Sequence, residues 1–329
     1  MRKVFIIFPV LAFGIATFMA GCQVKSNESS TSPEATGIKV TAAESFIADI
    51  AQNVAGDRFV VDTLIPLGMD LHAFEPIPSD MARLAESDVV IINGGGLEGW
   101  LEDVIANSGG DFRVIEASAG LQSRDPNHGH EEQGENETHE GQEEENEEGH
   151  HHGDIDPHFW LDPINTIQYV ENIRFGLIEA DPEGKDIYTK NAENYIHQLT
   201  ELDAFIRQQV ETIPVEKRLI VTNHENFGYF ADRYGFEVVG TIIPSVNTGS
   251  SPSAQQLARL IDDIRDTGVS AIFLETGINR QMAEQVSAET NIKVVTDLYS
   301  HTLTEAGGEA PTYIDMMKYN TRRIVENLK

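Results

Sequence analysis

Between Glu183 and Ile213 the chain has no proline and a single glycine, Gly184, at the very start. Ile187, Tyr195, Leu199, Leu202, Phe205, Ile206 and Val210 fall mostly three and four residues apart, the stripe of an amphipathic helix. About 30 residues rising 1.5 Å each make a rod of roughly 45 Å. Pro214 ends it. A rod of that length can pass along two domains rather than sit within one. The 329 residues suffice for two. The helix, over 183–213, therefore divides the chain into a first block, 38–182, and a second, 214–329.

Both blocks alternate strand-like and helix-like runs. In the first, Ile38–Thr41 reads as a strand and Ala42–Val54 as a helix stopped by Gly56. Phe59–Ile65 is a second strand. Ser79 is placed to cap a short helix through Glu86. Val89–Asn93 is a buried-strand run closed by three glycines; Trp100–Ala106 reads as a helix and Phe112–Ile115 as a strand. Asp162-Pro163 and Asp181-Pro182 look like helix starts, with Asp as cap and Pro in the first turn. In the second block the strands are Arg218–Thr222, Phe236–Ile242, Val269–Leu274 and Ile292–Val295. The helices between and after them are Phe227–Tyr234, one from Ser253 with Gln256 in capping-box position, Arg280–Glu289 and Tyr313–Leu328. The expected fold is α/β: two similar lobes, each a parallel sheet flanked by helices, joined by one long helix.

One stretch breaks this rhythm. Residues 128–163 read HGHEEQGENETHEGQEEENEEGHHHGDIDPHFWLDP. Residues 122–154 lack hydrophobic periodicity and are crowded with like charges, so they are expected to be a disordered insertion. The formal charge of the chain is −31. Removing residues 125–156, with 13 acids and no Lys or Arg, still leaves −18. Such a surface repels nucleic acid and anionic lipid.

The N-terminus, MRKVFIIFPVLAFGIATFMAGCQ, pairs a short basic start with an apolar run. It reads as a secretory signal over 1–21. Met-Ala-Gly-Cys resembles a bacterial lipobox, which implies cleavage before Cys22, lipidation of its sulfur, and anchoring outside the cell membrane. Residues 22–37 are polar and suit a flexible tether. Cys22 is the only cysteine, which excludes an internal disulfide and a site built from several thiolates.

The chain has 11 histidines. His128, His130, His139, His150, His151 and His152 lie in the acidic tract, and their spacing is too irregular to define one geometry. They suit accessory metal capture, with neutral imidazoles free to bind near pH 7. His197 lies on the polar face of the long helix. The other four differ. His72, His158, His224 and His301 each lie near the end of a strand or the start of a helix, two per block. In open α/β sheets, ligands collect at the carboxyl ends of strands. A single histidine beside aromatics is ordinarily a packing or surface residue, but four imidazoles meeting between two lobes make a closed tetrahedral site suited to Zn²⁺, at about 2.0–2.1 Å from each nitrogen. Two enzyme classes lack their motifs. No phosphate-binding Gly-Lys-Ser/Thr loop is present, and His224-Glu225 is followed by Gly228 where a His-Glu-x-x-His hydrolase needs histidine.

The segments MDLHAFEP, DPHFWLDP and TNHENFGYFADRYGF resemble the three signatures of the zinc/manganese solute-binding proteins of ABC transporters, the ZnuA- or TroA-like group. The resemblance spans nearly all of 38–329, including the His-rich insertion, the long helix and PSAQQLARL. It implies two lobes on a rigid helix with one metal between them, carried as cargo by a monomer that serves a membrane permease and its ATPase. Its first three ligands map to His72, His158 and His224. Manganese members usually carry a carboxylate at the third position, so His224 points to zinc. Aligned from MMKYN downstream, the fourth position is His301, with Asp297 or water as rivals and Glu275 as a carboxylate that would back a ligand. The tract would then collect zinc and pass it to this site. A manganese-binding homologue, a surface metal buffer or adhesin, and a zinc hydrolase are the alternatives.

Overall fold

The computed structural model describes residues 37–101, 104, 111–124 and 155–329. The expected signal segment, Cys22, the expected tether as far as residue 36, the six tract histidines and most of the expected Trp100–Ala106 helix lie outside the described residues.

Among the described residues, two parallel four-stranded sheets carry the fold. The first holds β1 (Val40–Ala42), β2 (Val61–Thr63), β3 (Val89–Ile92) and β4 (Arg113–Glu116), in the order β2-β1-β3-β4. The second holds β5 (Leu219–Thr222), β6 (Glu237–Thr241), β7 (Ala271–Glu275) and β8 (Lys293–Leu298), in the order β6-β5-β7-β8. The two orders are the same, so each lobe changes winding direction beside its first strand. A crevice opens at such a switch, outside the strand ends. Helices cover both faces, so the central strands are buried on both sides and mostly apolar; all five residues of β7, AIFLE, are buried, Glu275 at its end included.

The first lobe includes the helices α1 (Ser45–Ala55), α2 (Pro78–Ala85) and α3 (Pro163–Ala180). The long helix is α4 (Lys185–Val210). The second lobe adds α5 (Gly228–Tyr234), α6 (Ala254–Thr267), α7 (Gln281–Thr290) and α8 (Tyr313–Leu328). Ser253 and Gln256 form the expected reciprocal cap of α6. Asp162 caps α3 by accepting from the Ile164 N–H at 2.8 Å.

Helix α4 has 26 residues, about 39 Å. It is shorter than the sequence suggests because Pro182–Gly184 winds as a 3₁₀ turn. Its buried face is Tyr188, Ala192, Tyr195, Leu199, Leu202, Ile206 and Val210. Ile187, expected on that face, is exposed, and Tyr188 points inward instead. The helix packs on α1 and α3 on one side and on α8 on the other. The apolar core is continuous through both lobes, running from Val40 and Phe46 to Phe273, Val295 and Met316.

Three local expectations need correction. Ser79 does not cap α2: Pro78 already occupies the first turn, and the Asp80 carboxylate accepts from the Ile77 N–H. Asp181 is not a side-chain cap, because Arg58 and Tyr188 claim its carboxylate. Strand β2 covers only the centre of Phe59–Ile65, although the Leu64 and Ile65 N–H groups still reach the Ala42 and Ala43 carbonyls.

Candidate metal centre

Each lobe brings two histidines to the crevice. His72 sits on a 3₁₀ turn, Leu71–Ala73, in the loop after β2. His158 directly precedes another, Phe159–Leu161. His224 follows β5 by two residues, and His301 follows β8 by three. Their candidate ligand nitrogens all lie within 4.8 Å of one another. The six ring-centroid separations fall between 5.0 and 5.4 Å. That near-equality describes a tetrahedron of imidazoles. His158 Nε2 lies 3.4 Å from His72 Nε2 and 3.3 Å from His224 Nε2.

The surroundings orient the rings. His158 is wholly buried, and its Nδ1 is 2.8 Å from Asp156 Oδ1. A carboxylate there accepts, so Nδ1 carries the proton and Nε2 presents its lone pair inward. His224 Nδ1 lies 3.4 Å from Glu275 Oε1, and Asn226 donates to the same oxygen. His301 Nδ1 hydrogen-bonds Ser300 Oγ at 3.1 Å, and its buried Nε2 has no hydrogen-bond partner among the described residues. Trp160 supports this side: it stacks on Phe46 at 4.4 Å and donates from Nε1 to the Ser300 carbonyl.

Burial sets the charge state. Desolvation, together with the neighbouring His158 ring, lowers His72 to about 3. It also pushes His224 and His301 well below the usual imidazole range, with the other histidines adding to the effect. Desolvation raises Glu275 to about 7. The rings of His72, His224 and His301 are therefore neutral at pH 7, with lone pairs available to a cation.

Of the carboxylates marked out in the sequence, Glu275 stands against His224, while Asp297 is elsewhere. Asp297 forms an ion pair with Arg323 at 2.8 Å and accepts from the Tyr319 hydroxyl, both on α8. It is no rival to His301, because the guanidinium and phenol of α8 hold it against that helix. His197 is exposed and paired with Glu201 across one helical turn.

Sequence reading missed two aspartates. Asp70 precedes His72 by two residues, and Asp156 precedes His158 by two. Each accepts the backbone N–H of its histidine, at 3.0 and 3.1 Å. The repeated Asp-x-His spacing, the signature of an Asx turn, was the available signal. Arg124 was missed too. It lies 3.6 Å from Asp156 Oδ2 and binds Asp232 on α5, and the Ser123 hydroxyl accepts from the Asp156 N–H. The stems of the acidic insertion thus meet behind His158.

Residues 40–327 match the family model described as zinc-uptake complex component A, periplasmic. The chain belongs to this family. It is 34% identical over 328 residues, covering 100% of this chain and 99% of the relative, to the manganese-binding lipoprotein MntA of Halalkalibacterium halodurans. It is 30% identical over 331 residues, covering 99% and 98%, to the manganese ABC transporter substrate-binding lipoprotein PsaA of Streptococcus pneumoniae. Among solved structures, it is similar to the Mn-bound periplasmic metal-binding protein from Candidatus Liberibacter asiaticus (26% identity, TM-score 0.74, 89% of this chain and 100% of that one). The periplasmic zinc-binding protein TroA from Treponema pallidum matches as well, with 26% identity and TM-score 0.74 over 88% of this chain and 99% of that one. The family is a substrate-binding transporter component, not an enzyme. At that level this chain is a metal-binding, solute-binding protein of an ABC transporter.

Proposed function

We propose that this protein captures zinc between its lobes, on His72, His158, His224 and His301, and delivers it to the permease of an ABC transporter driven by a partner ATPase. One observation carries the reading: the spacing of the four rings. Four nitrogens at about 2.0–2.1 Å from a central ion are about 3.3–3.4 Å apart along each tetrahedral edge. The two Nε2–Nε2 distances of 3.3 and 3.4 Å match that edge. Neutral imidazole suits zinc, whereas manganese favours oxygen ligands in octahedral geometry and lies lower in the Irving–Williams order. Four protein ligands also fill the tetrahedron, leaving no open position for the activated water a hydrolase needs.

Manganese is the second reading, supported by the names of several relatives. Competition titrations separate the two. Zinc is expected to bind as one tight equivalent, about 100-fold or more ahead of manganese. Equal or tighter manganese binding, with a six-coordinate spectroscopic signature, would overturn the zinc reading.

Outside the described residues, a lipid on Cys22 would hold the protein at the outer face of the membrane as a monomer. The lipoprotein names of the relatives support that placement.

A further inference from the structure

The two Asp-x-His turns are alike in backbone and differ in what their carboxylates do next. Asp156 spends its first oxygen on the ring of its own histidine. Asp70 does not: its Oδ1 holds the His72 N–H, and its Oδ2 accepts from the Thr248 hydroxyl at 2.7 Å. Thr248 belongs to the second lobe, 178 positions away in sequence, in the loop between β6 and α6. The same first-lobe loop makes a second tie, since the Gly68 N–H donates to Thr302 Oγ1 at 2.9 Å, beside His301. It also lies close over the second lobe at Gly277. That residue has φ +83°, and a Cβ there would stand 3.3 Å from the Gly68 carbonyl oxygen.

Of the four clustered histidines, His72 is half-buried and the other three are buried. His158 and His301 are hydrogen-bonded within their own surroundings, to Asp156 and to Ser300, and His224 Nδ1 lies 3.4 Å from Glu275 Oε1. Among the described residues the His72 ring has no comparable carboxylate, and the loop that carries it is held by hydrogen bonds to the opposite lobe. The outermost of the four histidines therefore lies on a segment that itself carries two of the hydrogen bonds between the lobes.

We propose that Asp70 and Thr248 form an interlobe latch: positioning residues that keep the His72 loop closed and set the rate at which bound metal leaves. The proposal rests on the metal-capture reading above and adds the place where the site opens. A permease that takes the cargo has only to compete for the Thr248 hydroxyl and the Gly68 N–H to free His72, while His158, His224 and His301 stay in place.

Release kinetics test this on the full chain. Zinc-loaded protein is mixed with excess chelator, and the phase abolished by His158→Ala is assigned to the four-histidine site. Thr248→Val removes the hydroxyl at constant shape on a half-exposed loop, and Thr248→Ser restores it. A half-exposed hydrogen bond to a carboxylate is expected to slow release about 5- to 10-fold. Thr248→Val should therefore release zinc faster by that factor with its on-rate unchanged, and Thr248→Ser should match wild type. Thr302→Val, combined with Thr248→Val, should speed release further. Wild-type release from Thr248→Val sinks the latch. So does a Thr248→Ser variant as fast as Thr248→Val, because packing rather than the hydroxyl would then be responsible. If the wild-type chain has no His158-dependent phase at all, the metal-capture reading itself fails, and the latch with it.

Discussion

Removing His301 tests its proposed place as the fourth ligand. The residue is 6% exposed, with Nδ1 hydrogen-bonded to Ser300 and Nε2 without a partner among the described residues. Zinc sites with four protein ligands bind with about 10–16 kcal/mol, so one ligand carries roughly a quarter, about 2.5–4 kcal/mol. Water entering the vacated position returns part of it. His301→Ala is therefore expected to weaken zinc binding by about 2–4 kcal/mol, or about 30- to 700-fold in Kd. The assay is zinc titration against a competing chelator, with His197→Ala as an exposed control that should leave Kd unchanged. Without metal, the variant should lie within about 1 kcal/mol of the parent in urea unfolding, because truncation also removes a buried nitrogen that lacks a partner. The same titration on a chain lacking residues 125–153 should keep one tight equivalent. A Kd for His301→Ala within about threefold of the parent would refute a four-histidine site. Loss of all tight binding on deleting the tract would move the working site into it.

Two further outcomes are expected. Asp49, beneath α8, accepts the Tyr313 N–H at 2.9 Å, and burial raises its carboxyl to about 6. A folded value above the unfolded one, about 3.9, means stability is greatest below about pH 4 and falls as pH rises to about 6, by about 3 kcal/mol in all. Asp49→Asn keeps the acceptor and loses the titration, so metal-free urea unfolding should favour the variant by about 2–3 kcal/mol at pH 7 and by nothing near pH 4; parallel pH curves would contradict this assignment. Cys22→Ala should abolish incorporation of labelled fatty acid and release the protein from membranes, and continued labelling would rule out Cys22 as the anchor.

Much of the fold was legible because the governing forces are local and periodic. Stripes at three- and four-residue spacing disclosed α4, and apolar runs disclosed β3, β5 and β7. Asp162-Pro163 and Ser253 with Gln256 announced helix starts in their own chemistry. The errors were also local. Ser79, Asp80 and Pro78 compete for one helix start, and propensity alone does not choose among them. Ile187 and Tyr188 are adjacent, and only the packing of α4 on α1 and α3 decides which faces inward.

For the site, sequence by itself marked the candidate ligand chemistry: four histidines near strand or helix ends, in segments that resemble a known family, with one cysteine too few for any thiolate cluster. Tertiary structure alone decided the rest, because the deciding contacts join residues far apart along the chain. It placed Asp297 against Arg323 and Glu275 against His224, which two nearby carboxylates in a sequence cannot distinguish. It brought Trp160 to Ser300 and Asp70 to Thr248 across the crevice. Such pairs have no periodicity and no local propensity. They exist because two sheets with the same strand order, held on one continuous core, aim their carboxyl ends at each other, and no stretch of sequence records that orientation.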